Sequence, residues 1–66
     1  MEHDLLRFFE YEHLPDHLKE VSKEFHSLAH KVTGTLMGCA ETTVCLRKLL
    51  EAKDCAVRAK LLEVGA

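Results

Sequence analysis

The sequence predicts an all-α fold: an antiparallel helical hairpin with a short N-terminal arm or helix, assembling as a homo-oligomer. Three observations predict it. Leu18, Val21, Phe25, Leu28, Val32 and Leu36 alternate spacings of three and four, the pattern of an a/d seam on one helix. Leu46, Leu49, Leu50, Ala56, Val57 and Leu61 share one broad face when wound at about 3.6 residues per turn. The chain has only 66 residues, and one so short buries just ~60% of the surface it exposes when unfolded. Two helices cannot cover both apolar faces alone, so self-association is the expected stabiliser.

The elements follow in order within a single domain, residues 1–66. Residues 1–14 form the arm. It carries Phe8, Phe9 and Tyr11, all the aromatics except Phe25. Such an arm either closes the hairpin as a short helix or offers a ring to a ligand base, since every nucleobase has a π-face. Tyr11 is the best stacking residue, because its hydroxyl also reaches polar atoms. The first helix is expected over 15–37. Pro15, the sole proline, suits its first turn and holds Leu14 extended, and Asp16 and Glu20 favour the helix dipole there. Thr33, Gly34 and Thr35 weaken its end, and Gly38 offers a C-terminal turn. The second helix is expected over 40–63, making a hairpin across a short connection.

Composition narrows the function. A net charge of −2 argues against a general binder of DNA or RNA polymers. No apolar run approaches the ~18 residues of a membrane span. Three cysteines cannot all pair internally, and the opening Met1-Glu2-His3-Asp4 lacks the positive charge of a secretory signal. A cytoplasmic location is therefore expected, with the cysteines acting as small apolar residues. Nearly half the residues are hydrophobic, which argues against disorder.

Five histidines invite a metal site, with His26/His30 and His13/His17 each four apart. Pro15 breaks the second pair's helix, and neither Cys-x-x-Cys nor His-Glu-x-x-His is present, so no metal and no cofactor are expected. No nucleophile has a base beside it in sequence and no Gly-rich phosphate loop exists, so no catalytic residue is assigned. His26 shares with Ser22, Ala29 and Thr33 a small, polar strip flanking the seam. That strip is either an ordinary boundary or a place where a chain or ligand approaches closely. Arg47, Glu51, Asp54 and Arg58 form a charged face with opposite charges four apart. It is either a solvated ladder of pairs worth ~0.3–0.5 kcal/mol each, or a source of guanidinium forks for phosphate. Thr42 and Thr43 cap the second helix or help hold an anion at its N-terminus. Lys53 and Lys60 lie seven and fourteen residues after Leu46 and interrupt its apolar stripe. They mark a subunit boundary, snorkel at its edge, or meet an anionic ligand.

Phe9-Glu10-Tyr11-Glu12-His13-Leu14-Pro15, Leu28-Ala29 and the run ETTVCLRKLLEAKDCAVRA from Glu41 to Ala59 resemble small bacteriophage proteins: the helical-hairpin cyclic-nucleotide sponges of the anti-CBASS and anti-Thoeris group. The similarity runs from about Phe8 to Leu62. It implies a non-enzymatic homo-oligomer, often a hexamer, that sequesters immune messengers between its subunits in the host bacterial cytoplasm. The implied ligand is a cyclic di- or trinucleotide or a cyclic ADP-ribose-type molecule. Tyr11 matches an arm aromatic that stacks on a base, and His26 stands in the place of a phosphate-binding lysine. Arg47, Lys48 and Arg58 match basic positions of the second helix. With Phe9 and Thr43 these make up the expected ligand-binding set. Two departures stand out. An imidazole carries less positive charge near neutrality than a lysine, and the connection TLMGCAETT has Cys39 where relatives tend to have a Ser or Asn cap. The alternative is a small helical oligomerisation or protein-interaction module with no nucleotide ligand.

Overall fold

Residues 4–65 are described by a computed structural model; residues 1–3, the start of the expected arm, and residue 66 lie outside the described residues. The arm contains a 3-10 helix, Asp4–Phe9, followed by α1 (Asp16–Thr35) and α2 (Ala40–Gly65). All regular structure among the described residues is helical. The two long helices pack against each other as a hairpin, and the 3-10 helix packs on both. In a 3-10 helix side chains three apart eclipse. Leu6 and Phe9 therefore face the same way, and both are buried.

Pro15 takes the N-cap position of α1 rather than a place inside its first turn. Its backbone is extended (φ −58°, ψ 154°), and its carbonyl accepts from the N–H groups of Leu18 and Lys19, each at 2.9 Å. At the other end the helix stops at Thr35, two residues before the expected limit. The Thr33 and Thr35 hydroxyls turn back onto carbonyls of the preceding turn, the local competition that makes threonine a weak helix former. Leu36 leaves in an extended conformation (φ −107°, ψ 148°) while its N–H still reaches the Val32 carbonyl. The expected Gly38 turn is not of the left-handed kind, since no described glycine has positive φ. Instead the connection is tied from α2: the Thr42 hydroxyl, almost fully buried, donates to the Met37 carbonyl at 2.6 Å. α2 then runs two residues past its expected end.

The core joins Leu6, Phe9, Ala29 and Leu46, with Leu5, Phe25, Val32, Leu49 and Leu50 packed around it. This corrects the expected seam of α1. Leu18 is buried and Val21, Phe25 and Val32 are half-buried, but Leu28 is 47% exposed and Leu36 50%. Ser22 and Ala29, placed by sequence on a flanking strip, are both at 0%. The helix is rotated toward its small residues, and the inward line is Leu18, Ser22, Phe25, Ala29, Val32. Small side chains let backbones approach closely, and close packing of many atoms outweighs the burial of two leucines. α2 is also less sided than its leucines suggest. Leu46 is fully buried, yet Leu61 is 48% and Leu62 76% exposed.

Candidate functional site

Beyond the 3-10 helix the chain makes a tight link into α1. The Tyr11 carbonyl accepts from Leu14 N–H at 3.0 Å, and Pro15 then starts the helix. This link lays Tyr11 against the middle of α1. The Tyr11 and His26 ring centroids are 5.0 Å apart at 71°, an edge-to-face pair of the kind that aromatic quadrupoles favour. His30, one turn further, continues the row at 4.3 Å from His26 with its ring tilted by 46°.

An open cleft of about 360 Å³ lies at this junction, lined by Glu10, Tyr11, Glu12, His13 and His26. Its size is at the small end of the ~300–1,000 Å³ typical of small-molecule sites. Tyr11 and His26 are half-buried, and Glu10, Glu12 and His13 are exposed. The Glu12 carboxylate beside the phenol accepts its hydrogen bond and adds negative charge, so the Tyr11 pKa is raised above its usual value. The lining offers a ring for stacking, imidazoles that donate or accept, and carboxylates that accept from amino groups. Neither lysine nor arginine lines it.

The other sequence-derived residues lie elsewhere. Phe9, expected as a ligand-stacking ring, is at 0% exposure in the core. Phe8 is the exposed neighbour, with the Arg7 guanidinium 4.9 Å from its centroid. Arg47, Lys48 and Arg58 are exposed on α2, and none lines the cleft. The expected ion pairs Arg47–Glu51 and Asp54–Arg58 are not formed among the described residues. Arg58 Nη2 instead reaches Cys55 Sγ at 3.4 Å. At exposed positions each such pair gains too little to fix two long side chains.

Thr43, half-buried, points its hydroxyl to the Cys39 carbonyl at 3.4 Å. Cys39 is the N-cap of α2: its carbonyl also accepts from Thr43 N–H at 3.1 Å, and its Sγ lies 3.5 Å from the Thr42 hydroxyl. Thr42's hydroxyl, whose single proton the sulfur shares with the Met37 carbonyl, then the backbone N–H groups of Thr42 and Glu41, favour a thiolate there and lower the Cys39 pKa from the ordinary thiol value. The two lysines of the apolar stripe part ways. Lys60 pairs with Glu63 at 3.3 Å, while Lys53 Nζ donates to the Phe8 carbonyl at 2.6 Å.

No group of three or more His, Cys, Asp or Glu among the described residues is placed to hold a metal ion. No described helix is long and apolar enough to cross a membrane. No protein-family model, curated protein or solved structure matches the chain.

Sequence reasoning named Tyr11 and His26 but missed Glu10, Glu12 and His13 as lining. The available signal was local: Glu-Tyr-Glu-His crowds polar groups around one ring just before a proline that fixes the chain.

Proposed function

We propose that this chain is a phage anti-defence protein that binds and sequesters a cyclic oligonucleotide, or a cyclic ADP-ribose-type molecule, without catalysis. The observation that carries the reading is the meeting of Tyr11 and His26, fifteen residues apart in sequence, at the mouth of one open cleft. A base stacks on the Tyr11 ring, while its exocyclic amino groups donate to Glu10 or Glu12. The ligand's phosphates need cations that the cleft's own lining does not supply. Arg47, Lys48 and Arg58, exposed on α2, are offered by neighbouring copies of the chain in a homo-oligomer, a hexamer by resemblance.

The surface supports assembly. The body measures 41 × 19 × 15 Å and exposes 4824 Å², against about 4,250 Å² for a compact monomer of its mass. Leu28, Leu36, Met37, Val44, Leu61 and Leu62 are among the large apolar side chains left exposed, more than a hairpin of this size needs to leave in water.

Isothermal titration of the native protein with cyclic di- and trinucleotides and cyclic ADP-ribose isomers tests the proposal. Saturable heat with one of them, abolished by Tyr11→Ala while the native mass is unchanged, is the expected result. No heat with any of them on a folded oligomer sinks it. The same exposed leucines favour one second reading, a helical interaction module without a nucleotide ligand. In that case the oligomer forms and the titration stays flat.

A further inference from the structure

Lys53 occupies the apolar stripe of α2, and its ammonium, at the solvent-exposed edge of that stripe, meets no carboxylate. It donates to the backbone carbonyl of Phe8, forty-five residues earlier in the chain. That carbonyl belongs to the last turn of the 3-10 helix Asp4–Phe9, where carbonyls lack partners within the helix and carry the negative end of its dipole. Phe8's own ring does not anchor this turn, since it is 46% exposed. The junction of arm and link is thus held at two adjacent points, the buried Phe9 ring and the Lys53 ammonium. From there only Glu10 precedes Tyr11. The far end of the link is fixed in turn by the Tyr11–Leu14 hydrogen bond and by Pro15 at the start of α1.

From this geometry we infer that Lys53 is a positioning residue for the cleft: by gripping the Phe8 carbonyl it fixes where the arm ends and so holds Tyr11 against His26. The ligand consequence rests on the proposed nucleotide-binding function; the positioning itself does not. A free arm would populate other placements, and affinity falls by the fraction of molecules whose site is assembled.

The test uses the full-length protein with Lys53→Met and Lys53→Arg. Tyr11 is the sole tyrosine and the chain has no tryptophan, so tyrosine emission reports this one ring. The expected result for K53M is retained helical circular dichroism with loss of the proton cross-relaxation between the Tyr11 and His26 rings. Its emission shifts toward that of free tyrosine, and K53R restores both. Affinity for cyclic di-GMP as probe falls about threefold to tenfold in K53M and recovers in K53R. Ring contact and emission in K53M equal to those of the unaltered protein overturn the inference.

If K53M fails to fold, the unaltered protein decides. Scalar coupling across the hydrogen bond from Lys53 Nζ to the Phe8 carbonyl carbon supports the inference, and its absence overturns it. Should the unaltered protein ignore cyclic di-GMP, the ring contact still judges Lys53, and the nucleotide reading is tested apart by the wider titration.

Discussion

Ser22→Ala is expected to stabilise the protein, against the usual direction of a core substitution. Ser22 is at 0% exposure in α1, and its Oγ has no hydrogen-bond partner. Its own chain buries it completely, so neither a second subunit nor a ligand reaches the hydroxyl to satisfy it. A buried hydroxyl left unpaired costs about 1–3 kcal/mol. Removing one oxygen leaves a void of roughly 10 Å³, a cost of about 0.2–0.3 kcal/mol at the usual cavity coefficient. Alanine also exceeds serine in helix propensity by about 0.5 kcal/mol. The balance favours S22A by about 1–3 kcal/mol.

Urea unfolding followed by circular dichroism reads this directly, at fixed protomer concentration because assembly couples to stability. With a slope of about 1 kcal/mol/M for a chain of this size, the midpoint rises by about 1–3 M while the slope is unchanged. A midpoint that stays put or falls refutes the reasoning, because it means the hydroxyl is paired in solution. The outcome bears on the site as well. Ser22 and His26 are one turn apart on α1, so a satisfied Ser22 would mean that this stretch packs differently beneath the cleft.

Three further outcomes are expected. Leu46→Ala, at the centre of the core with 0% exposure, costs about 2–5 kcal/mol; thermal unfolding then shows a folded fraction sharply reduced at room temperature, and a shift of only a degree or two contradicts the core assignment. Thr42→Val removes both the Met37 tie and the principal cause of the lowered Cys39 pKa, so Cys39 alkylates more slowly near neutral pH than in the unaltered protein, as followed by mass spectrometry of the three cysteine peptides. A lowered folded-state thiol pKa contributes stability above the ordinary thiol value, lost as pH falls through the folded one; in T42V that dependence diminishes. Tyr11 runs the other way: its pKa is raised by Glu12, so its contribution is present below the usual tyrosine value and lost as pH rises through the raised one. Ultraviolet titration of this single tyrosine therefore ends at higher pH than in Glu12→Gln, and coincident curves would remove Glu12 from the phenol.

The helices were legible because periodicity is a local property: three-four spacing, one proline and one run of threonines bracket α1 to within two residues at its C-terminal end. The face that packs was less legible. Hydrophobic patterning weights Leu28 and Leu36 above Ser22 and Ala29, whereas contact between helices rewards side chains small enough to bring backbones together. The strip that reads from sequence either as an ordinary boundary or as open to a neighbouring chain or ligand is thus partly filled, at Ser22 and Ala29, by the chain's own fold. The same limit applies to the arm. Phe8, Phe9 and Tyr11 look alike as aromatics, and only the three-residue period of a 3-10 helix sends Phe9 inward and leaves Phe8 outside. Tyr11 and His26 were identified for separate reasons, and no pattern within either segment encodes their meeting.

Lys53 and Lys60 show why a charge on an apolar stripe cannot be read one way. They are seven residues apart, on the same face of the same helix. Lys60 stands beyond the reach of the arm and pairs with Glu63 on its own helix, at a position where Leu61 and Leu62 are also exposed. Lys53 lies where the 3-10 helix crosses α2, and a leucine there would leave the Phe8 carbonyl without its donor. The cation on the seam therefore serves the arm, and through the arm the ring of Tyr11. The basic residues still free for an anion are those facing outward, Arg47 and Lys48 among them. In the proposed function a phosphate at the cleft therefore draws its cations from such outward-facing residues, of this chain or of another copy, rather than from the apolar stripe.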